Sequence, residues 1–268
     1  MKTKSKKDRT DQFREAVRQL VDQLHDISSR KKLSVNDVHD LRVAIKRLRV
    51  FFAITILTGE RVSSLNLMKK SLRTLFRRAG KLRSMQLIFE KLKEQSVGIK
   101  QEAINKKIKK DEVRLKSAIR KFNLKRFRVE IKDLLKRFEK KSGRKNWHRL
   151  PEKIQSASWK LIRRNIEFVD SEQIHSVRKE VRKILDLYFF LPQILSKQLQ
   201  ADLKNIHSVL GKWHDQADYS AFILKRMKQS GNKKEKVKRI NLFHSSRKRE
   251  KLLIENALAQ LRHILRNV

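Results

Sequence analysis

The chain has 268 residues, of which 69 are Lys or Arg and 28 are Asp or Glu, so its net charge is +41 at pH 7. Solubility requires far less charge, and so large an excess of one sign indicates an anionic partner: nucleic acid, polyphosphate, an acidic membrane or an acidic protein. The absence of cysteine excludes disulfide bonds and thiolate metal sites. Six glycines and two prolines supply too few turns for a many-stranded protein, so we expect an all-α fold.

Apolar residues recur at helical spacing along most of the chain. The stretch from Ile99 to Arg120 has mixed charges and sparse apolar residues, and it predicts an exposed helix that projects from the protein. Residues 140–146 are basic and polar and predict a link between two halves. The other predicted helices cover 9–29, 34–57, a third from about 62, 82–95 as its continuation or as a fourth helix, 124–138, 151–168, 171–190, 197–210, a stretch ending near 229, and 236–266.

The helix from Ser34 to Leu57 organises the rest. Ser34 is the expected N-cap, with Asp37 at the third helical position as a weaker form of the capping box. One face carries a basic row at helical spacing: His39, Arg42, Lys46 and Arg49. Beside that row runs an apolar stripe that we expect to be buried: Leu41, Ala44, Ile45, Leu48, Phe52 and Ile56. No acidic residue lies between Leu41 and Gly59, so the basic row needs an anionic partner.

The same pattern returns in the second half. Ile174 to Ile184 repeats Val38 to Leu48, with Asp170 as the N-cap and Gln173 at the third helical position. A second motif also occurs twice, as Ala79 to Ser84 and as Leu210 to Asp215. Two motifs in the same order indicate a duplicated chain, and each half holds about four helices, which predicts two bundles related by a pseudo-twofold axis. The predicted halves are 9–140 and 151–268.

Val38 to Arg49 resembles the opening signature of the CHAD family, the conserved histidine α-helical domain. Leu210 to Asp215 is similar to that family's second signature, Leu-Gly-x-x-Arg-Asp, although neither copy has the full Arg-Asp pair: the first has Arg83-Ser84 and the second has His214-Asp215. The resemblance covers nearly the whole chain, residues 1–268 as a single domain. It implies two four-helix bundles around a central basic groove or pore, and binding of inorganic polyphosphate there without catalysis.

Residue by residue, the resemblance implies that basic side chains of the signature helices and the helices after them face the polyanion. In the second half Leu185 replaces the fourth member of the basic row, so we expect fewer contacts from that half. The expected polyphosphate-binding residues are His39, Arg42, Lys46, Arg47, Arg49, Lys70, Arg73, Arg77, Arg78, Lys81, His175, Arg178, Lys179, Arg182, Lys183, Lys197, Lys204, His207 and Lys212.

Two acidic residues and three tryptophans are open to other interpretations. Asp215 and Asp218 are spaced for a metal or acid–base pair, but salt bridges that position nearby Arg or Lys are the favoured interpretation. The sequence has no zinc-protease spacing, phosphate loop or nucleophile–base pair, so we expect no catalytic residue, metal or cofactor. Trp147, Trp159 and Trp213 are expected in the core rather than as stacking platforms.

The leading hypothesis is therefore a non-enzymatic polyphosphate binder that acts as an adaptor at polyphosphate granules. The alternative is a protein that binds RNA or DNA without sequence preference, because the same charge would bind a nucleic-acid backbone. The basic N-terminus leads into no apolar run, and the apolar stretches are too short to span a bilayer. We therefore expect a cytoplasmic protein with neither signal peptide nor membrane insertion; the sequence leaves the oligomeric state open.

Overall fold

The structure, a computed structural model, describes residues 6–57, 63–94, 101–142, 150–167, 170–227 and 233–266. Across these ranges the chain is helical apart from short connections, which confirms the predicted all-α fold. The helices are α1 Lys6–Ser29, α2 Val35–Leu57, α3 Ser63–Glu94, α4 Gln101–Lys121, α5 Leu124–Ser142, α6 Leu150–Asn165, α7 Ser171–Phe190, α8 Lys197–Met227 and α9 Lys233–Leu265, with a 3-10 turn at Pro192–Ile194.

Most predicted boundaries agree with these helices. Residues 82–94 continue α3 and do not form a separate helix. The helix predicted at 197–210 and the stretch ending near 229 are likewise one helix, α8. Gly59, Trp147 and most of the predicted link at 140–146 lie outside the described residues.

The chain forms two compact units, each built from three separate segments. The first unit contains residues 1–83, 107–156 and 186–194, and the second contains 84–106, 157–185 and 195–268. Helices α3, α4, α6 and α7 each contribute residues to both units, whereas the sequence repeat predicts two continuous halves. The pseudo-twofold pair of four-helix bundles stays a prediction.

The core of the first unit is centred on Phe13 of α1. Its ring centroid lies 4.8 Å from that of Phe138 in α5, 5.3 Å from Phe190 in α7 and 5.7 Å from Phe51 in α2. All four side chains are at most 1% exposed. This aromatic cluster joins segments that are far apart in sequence into one apolar core.

The capping boxes predicted for α2 and α7 are confirmed. Ser34 Oγ accepts a hydrogen bond from the Asp37 amide (3.0 Å), and Asp37 Oδ2 accepts one from the Ser34 amide (2.7 Å). At the start of α7, Asp170 Oδ1 accepts a hydrogen bond from the Gln173 backbone N–H (2.7 Å), and Gln173 Oε1 accepts one from the Asp170 backbone N–H (3.3 Å). Arg30 also donates a hydrogen bond to Asp37. Each signature helix therefore begins at the residue that the sequence predicts.

The apolar stripe of α2 is buried as predicted, with one exception. Five of its members are fully buried: Leu41, Ala44, Ile45, Leu48 and Phe52. Ile56 is 42% exposed, so its predicted place in the core is wrong. It lies in the last turn of α2.

The prediction that α4 is an exposed, projecting helix is also wrong. Ile104, Leu115 and Ile119 are at most 9% exposed, and Asp111 on the same side is buried. Because α4 is 21 residues long, three apolar residues at spacings of eleven and four are enough to bury one side. The remaining charges lie on the solvent side.

The second unit is built largely on α7, α8 and α9. Ile174, Val177, Val181 and Ile184 form the buried side of α7 and are fully buried. Trp159 and Trp213 are 5% and 1% exposed, which confirms the core position predicted for them. None of the described helices has an apolar stretch long enough to cross a membrane.

Replacing Asp37 with Ala should lower the free energy of unfolding by about 1–2 kcal/mol, because α2 loses its capping box. Burial raises the pKa of Asp37, but hydrogen bonds from Ser34 and the charge of Arg30 outweigh it and hold the pKa below 3.8. The carboxylate therefore stabilises the folded state fully above pH 3.8, and this contribution is lost as the pH falls through the lower folded value. Urea unfolding followed by circular dichroism at several pH values measures both effects.

Asp40→Ala is the matched control, since Asp40 is exposed and lies one turn further along α2. It removes the same charge from the same helix but leaves the cap intact. An equal loss of stability in the two variants would mean that the charge, and not the capping box, is what stabilises α2.

Candidate anion-binding site

The basic row of α2 lies beside its buried stripe, and its members differ in exposure. His39 and Arg49 are exposed, whereas Arg42 and Lys46 are half-buried. The half-buried members have their charged ends close to α3. The side chains of α2 that are predicted to bind the anion therefore lie partly against another helix and not only in solvent.

Three of these cations converge on one aromatic ring. Arg42 Cζ lies 4.6 Å, Arg49 Cζ 5.8 Å and Lys46 Nζ 5.9 Å from the centroid of Phe76 in α3. Arg42 Nη1 also donates a long hydrogen bond (3.5 Å) to the Phe76 carbonyl oxygen. The electron-rich face of the ring attracts each cation and offsets part of their mutual repulsion. We refer to Phe76 with Arg42, Lys46 and Arg49 as the Phe76 cluster.

Gly80, one turn after Phe76, makes this arrangement possible. The Arg42 guanidinium lies where a side chain at position 80 would begin: a methyl group there would overlap Nη1 and lie 3.5 Å from Cζ. A glycine inside a helical pattern indicates either close packing or a bend, and here an arginine side chain of α2 makes the close approach. Gly211, its counterpart in the second repeat, has open space at the same position.

The residues of α3 that are predicted to bind the anion lie in the part of the helix around Phe76. Lys70, Arg73, Arg77 and Lys81 are exposed, and Arg78 is half-buried. Because residues three and four apart are neighbours on a helix, Arg73 lies one turn before Phe76 and adjoins the cluster. The α3 row thus extends the positive surface of the Phe76 cluster along the first unit.

Arg47 differs from the other α2 cations. Its Nε lies 3.8 Å from Oδ1 of Asp186, and its guanidinium carbon lies 3.8 Å from the Phe189 ring centroid. Asp186 is 3% exposed, so Arg47 neutralises a buried carboxylate at the end of α7. Lys183 is similarly paired, with Glu180 on its own helix (3.3 Å). The structure therefore gives Arg47 and Lys183 carboxylate partners, and ligand binding by them stays a prediction.

The second unit gathers histidines around a tryptophan. The His175 ring centroid in α7 lies 4.8 Å from Trp213 and 5.1 Å from His214, both in α8. His214 Nδ1 lies 3.8 Å from a carboxylate oxygen of Asp215 and of Asp218. We call these five residues the His175 cluster. Its carboxylates distinguish it from the Phe76 cluster.

The charges of the two aspartates act on a nearby arginine, but their ion-pair contacts among the described residues are with His214, so the salt bridges to Arg or Lys stay a prediction. Burial lowers the pKa of Arg178, and the charges of Asp215 and Asp218 oppose that effect. Ser84 of α3 donates a hydrogen bond to Asp218 (3.3 Å), which fixes that carboxylate. Within the described residues, no group of three or more potential ligands is arranged to hold a metal ion.

Lys91 is a member of this region that the sequence analysis missed. Its Nζ donates to Gln216 Oε1 (2.6 Å) and lies 5.6 Å from the Tyr219 ring centroid. Burial lowers its pKa, and the charge of Asp215 counteracts this. Burial also raises the pKa of Tyr219 to about 12. The only signal for Lys91 in the sequence is its position on the same helix as the repeated motif, seven residues after Ser84.

The remaining residues that are predicted to bind the anion lie on helices of the second unit. Lys179 of α7 is exposed and Arg182 is half-buried. On α8, Lys197, Lys204 and Lys212 are exposed and His207 is half-buried. Their binding roles stay predictions.

The described residues define an all-α protein with cations gathered on helix faces in each of two units. A family model, the CHAD domain, matches residues 11–223, and because this is most of the chain, the protein belongs to the CHAD family. The fold is similar to the crystal structure of the CHAD domain from the plant Ricinus communis, with a TM-score of 0.69 and 11% sequence identity over 94% of this chain and 91% of that chain. At this identity the likeness concerns the fold alone. A search of the curated proteins found no match.

The geometry of the His175 cluster predicts how His175 titrates. Burial and then the charges of His214 and Arg178 lower the pKa of His175 below 6.5, while Asp218 acts in the opposite direction. Asp218→Asn should therefore lower the pKa of His175 further, and Arg178→Gln should raise it. Titration of the imidazole protons by NMR measures each shift.

Asp202→Asn is the control for this titration. Asp202 lies on α8 sixteen residues before Asp218, about 24 Å along the helix. The substitution removes the same charge as Asp218→Asn. An equal shift from Asp202→Asn and Asp218→Asn would contradict the local contact and would point to overall charge.

Proposed function

We propose that this CHAD protein binds inorganic polyphosphate without catalysing a reaction on it, and that the Phe76 cluster makes the principal contact. The observation that carries the proposal is the convergence of Arg42, Lys46 and Arg49 on one ring. The three charged groups are held together before any ligand arrives. A linear anion with closely spaced phosphates can then contact all three at once.

The chemistry of the side chains suits phosphate. Arginine offers two parallel donors to phosphate oxygens, and lysine adds a compact positive charge. Cations three or four residues apart on a helix are about 5–6 Å from one another, so a flexible polyanion can follow the row. The exposed α3 cations, among them Arg73 and Arg77, extend this row beyond the cluster.

Nucleic acid is the alternative ligand for the same surface. Proteins that bind single strands usually stack bases on exposed aromatic rings. Trp159 and Trp213 are buried, and three cations lie over Phe76, so these rings do not offer free faces to bases. Excess polyphosphate should displace bound RNA far better than RNA displaces polyphosphate; the reverse order would favour the alternative.

A binding role without catalysis is supported by the composition of α2. Phosphoryl transfer needs carboxylates to hold magnesium next to the phosphates, and α2 has no acidic residue between Leu41 and Gly59. We propose that the protein acts as an adaptor that polyphosphate recruits to cytoplasmic granules.

The triple variant R42A/K46A/R49A should bind polyphosphate at least about tenfold more weakly, since three phosphate contacts are lost. Counterion release also predicts that the slope of log affinity against log salt becomes shallower by about 2. Isothermal titration calorimetry at several salt concentrations measures both quantities. Helicity should be unchanged, because none of the three side chains is in the core.

The matched control is K109A/K110A/K121A. These lysines are exposed on α4 in the first unit, and the variant loses the same charge. If it binds as weakly as the triple variant, affinity depends on net charge and the Phe76 cluster is not the site.

Gly80→Ala tests the position of one guanidinium without removing a charge. The added methyl group displaces Arg42 from its place on Phe76, so affinity for polyphosphate should fall about fivefold. Stability should not fall much, because Ala favours a helix interior by about 1 kcal/mol over Gly. Calorimetry combined with thermal unfolding separates the two effects.

Gly211→Ala provides the comparison, since a methyl group at that position meets open space. It should leave the affinity unchanged. Equal affinities for the two alanine variants would mean that the placement of Arg42 is irrelevant to binding.

A further inference from the structure

A cavity of about 570 Å³ lies in the first unit between α1 and α5, and none of its lining residues belongs to the Phe76 cluster. Two ion pairs cross between the helices. Arg14 pairs with Glu139, and Arg128 Nη2 lies 2.9 Å from Asp22 Oδ1. Because the residue number rises along α1 as it falls along α5, the helices are antiparallel. The two pairs lie at opposite ends of the cavity.

The ion pairs limit the length of an occupant. Arg14 and Asp22 are eight residues apart, which corresponds to about 12 Å along α1. All four charged residues line the cavity, so the paired side chains close its two ends. The space is within the usual size range of small-molecule sites and holds little more than two turns of a helix.

The floor and the rim of the cavity differ in chemistry. Val21, Ile131 and Leu135 are at most 6% exposed and form an apolar floor. The rim carries Lys132 and Lys136, both exposed and without an ion pair among the residues that the structure describes. Across the cavity stands Arg18, whose contact with Glu15 on its own helix is long, at 4.0 Å.

We propose that this cavity binds a small amphiphilic anion, with an apolar body about 12 Å long or shorter and one or two negative charges. The apolar body lies on the floor, where its burial excludes water. The anionic group lies at the rim, where Arg18, Lys132 and Lys136 donate to it. The cations of the two end ion pairs are already neutralised by Asp22 and Glu139.

Polyphosphate does not fit this description. It has no apolar body to cover the floor, and a long chain could not pass the ion pairs at the two ends. The inference therefore does not depend on the proposed function, and a site for one kind of anion can exist without the other.

The test uses two fluorescent probes with the same aromatic body. 1-Anilinonaphthalene-8-sulfonate carries a negative charge, and N-phenyl-1-naphthylamine is neutral. Both should bind the folded 268-residue chain, the sulfonate more tightly. Val129→Trp should weaken both by about tenfold, because position 129 lines the cavity but is 60% exposed, so the larger ring fills the space without disturbing the core.

Lys132→Gln with Lys136→Gln should weaken only the sulfonate, and excess polyphosphate should leave the neutral probe bound. The control is Lys125→Gln with Lys140→Gln, two exposed α5 lysines that do not line the cavity; it should change neither affinity. Circular dichroism confirms folding of each variant. Unchanged probe binding in Val129→Trp, an equal loss in the control pair, or displacement of the neutral probe by polyphosphate would each overturn the proposal.

Discussion

Helix α2 has an apolar face and, beside it, a cationic face, and the first unit depends on keeping both in place. Like charges three or four residues apart destabilise a helix by about 0.2–0.5 kcal/mol per pair. Burial of each large apolar side chain contributes about 1.5–3 kcal/mol, and Leu41, Ile45 and Leu48 are fully buried. Core packing therefore outweighs the repulsion within the basic row. The same core fixes the rotation of α2 and so fixes where its cations lie.

The two repeats keep the basic row but hold it by different means. In the first unit the partner is the face of Phe76, which attracts cations without cancelling their charge. In the second unit the partners include Asp215 and Asp218, which oppose the effect of burial on Arg178 and also reduce the local positive potential. When Gly80 and Gly211 are aligned, His207 stands where the first repeat has Phe76. The two copies of the motif thus share cations while the neighbours of those cations differ, and for this reason we propose the first unit as the stronger anion site.

Periodicity and capping chemistry were sufficient to predict the helices, both signature caps and the buried side of α2, because all of these depend on residues within one or two turns. The contacts that define the candidate site depend instead on residues that are far apart in sequence. Phe76 fits the apolar stripe of α3 and packs against the core of the first unit, but nothing local in the sequence reveals that α2 brings three cations to its ring. Arg47 belongs to the signature, yet it pairs with Asp186, far away in sequence. Sparse apolar residues made α4 look exposed, because one buried side of a long helix needs few of them.

Net charge alone would attract any polyanion to any of the 69 basic residues, so the arrangement of the charges must distinguish one surface from another. A fully solvated Lys or Arg loses up to about 2 kcal/mol of rotamer entropy when a ligand immobilises it. Arg42, half-buried between Phe76 and Gly80, has given up much of that freedom on folding. The exposed lysines of α4 have not. Under the proposed function, equal charges therefore bind unequally, and the cations already held against another helix are those from which a linear phosphate chain would gain most.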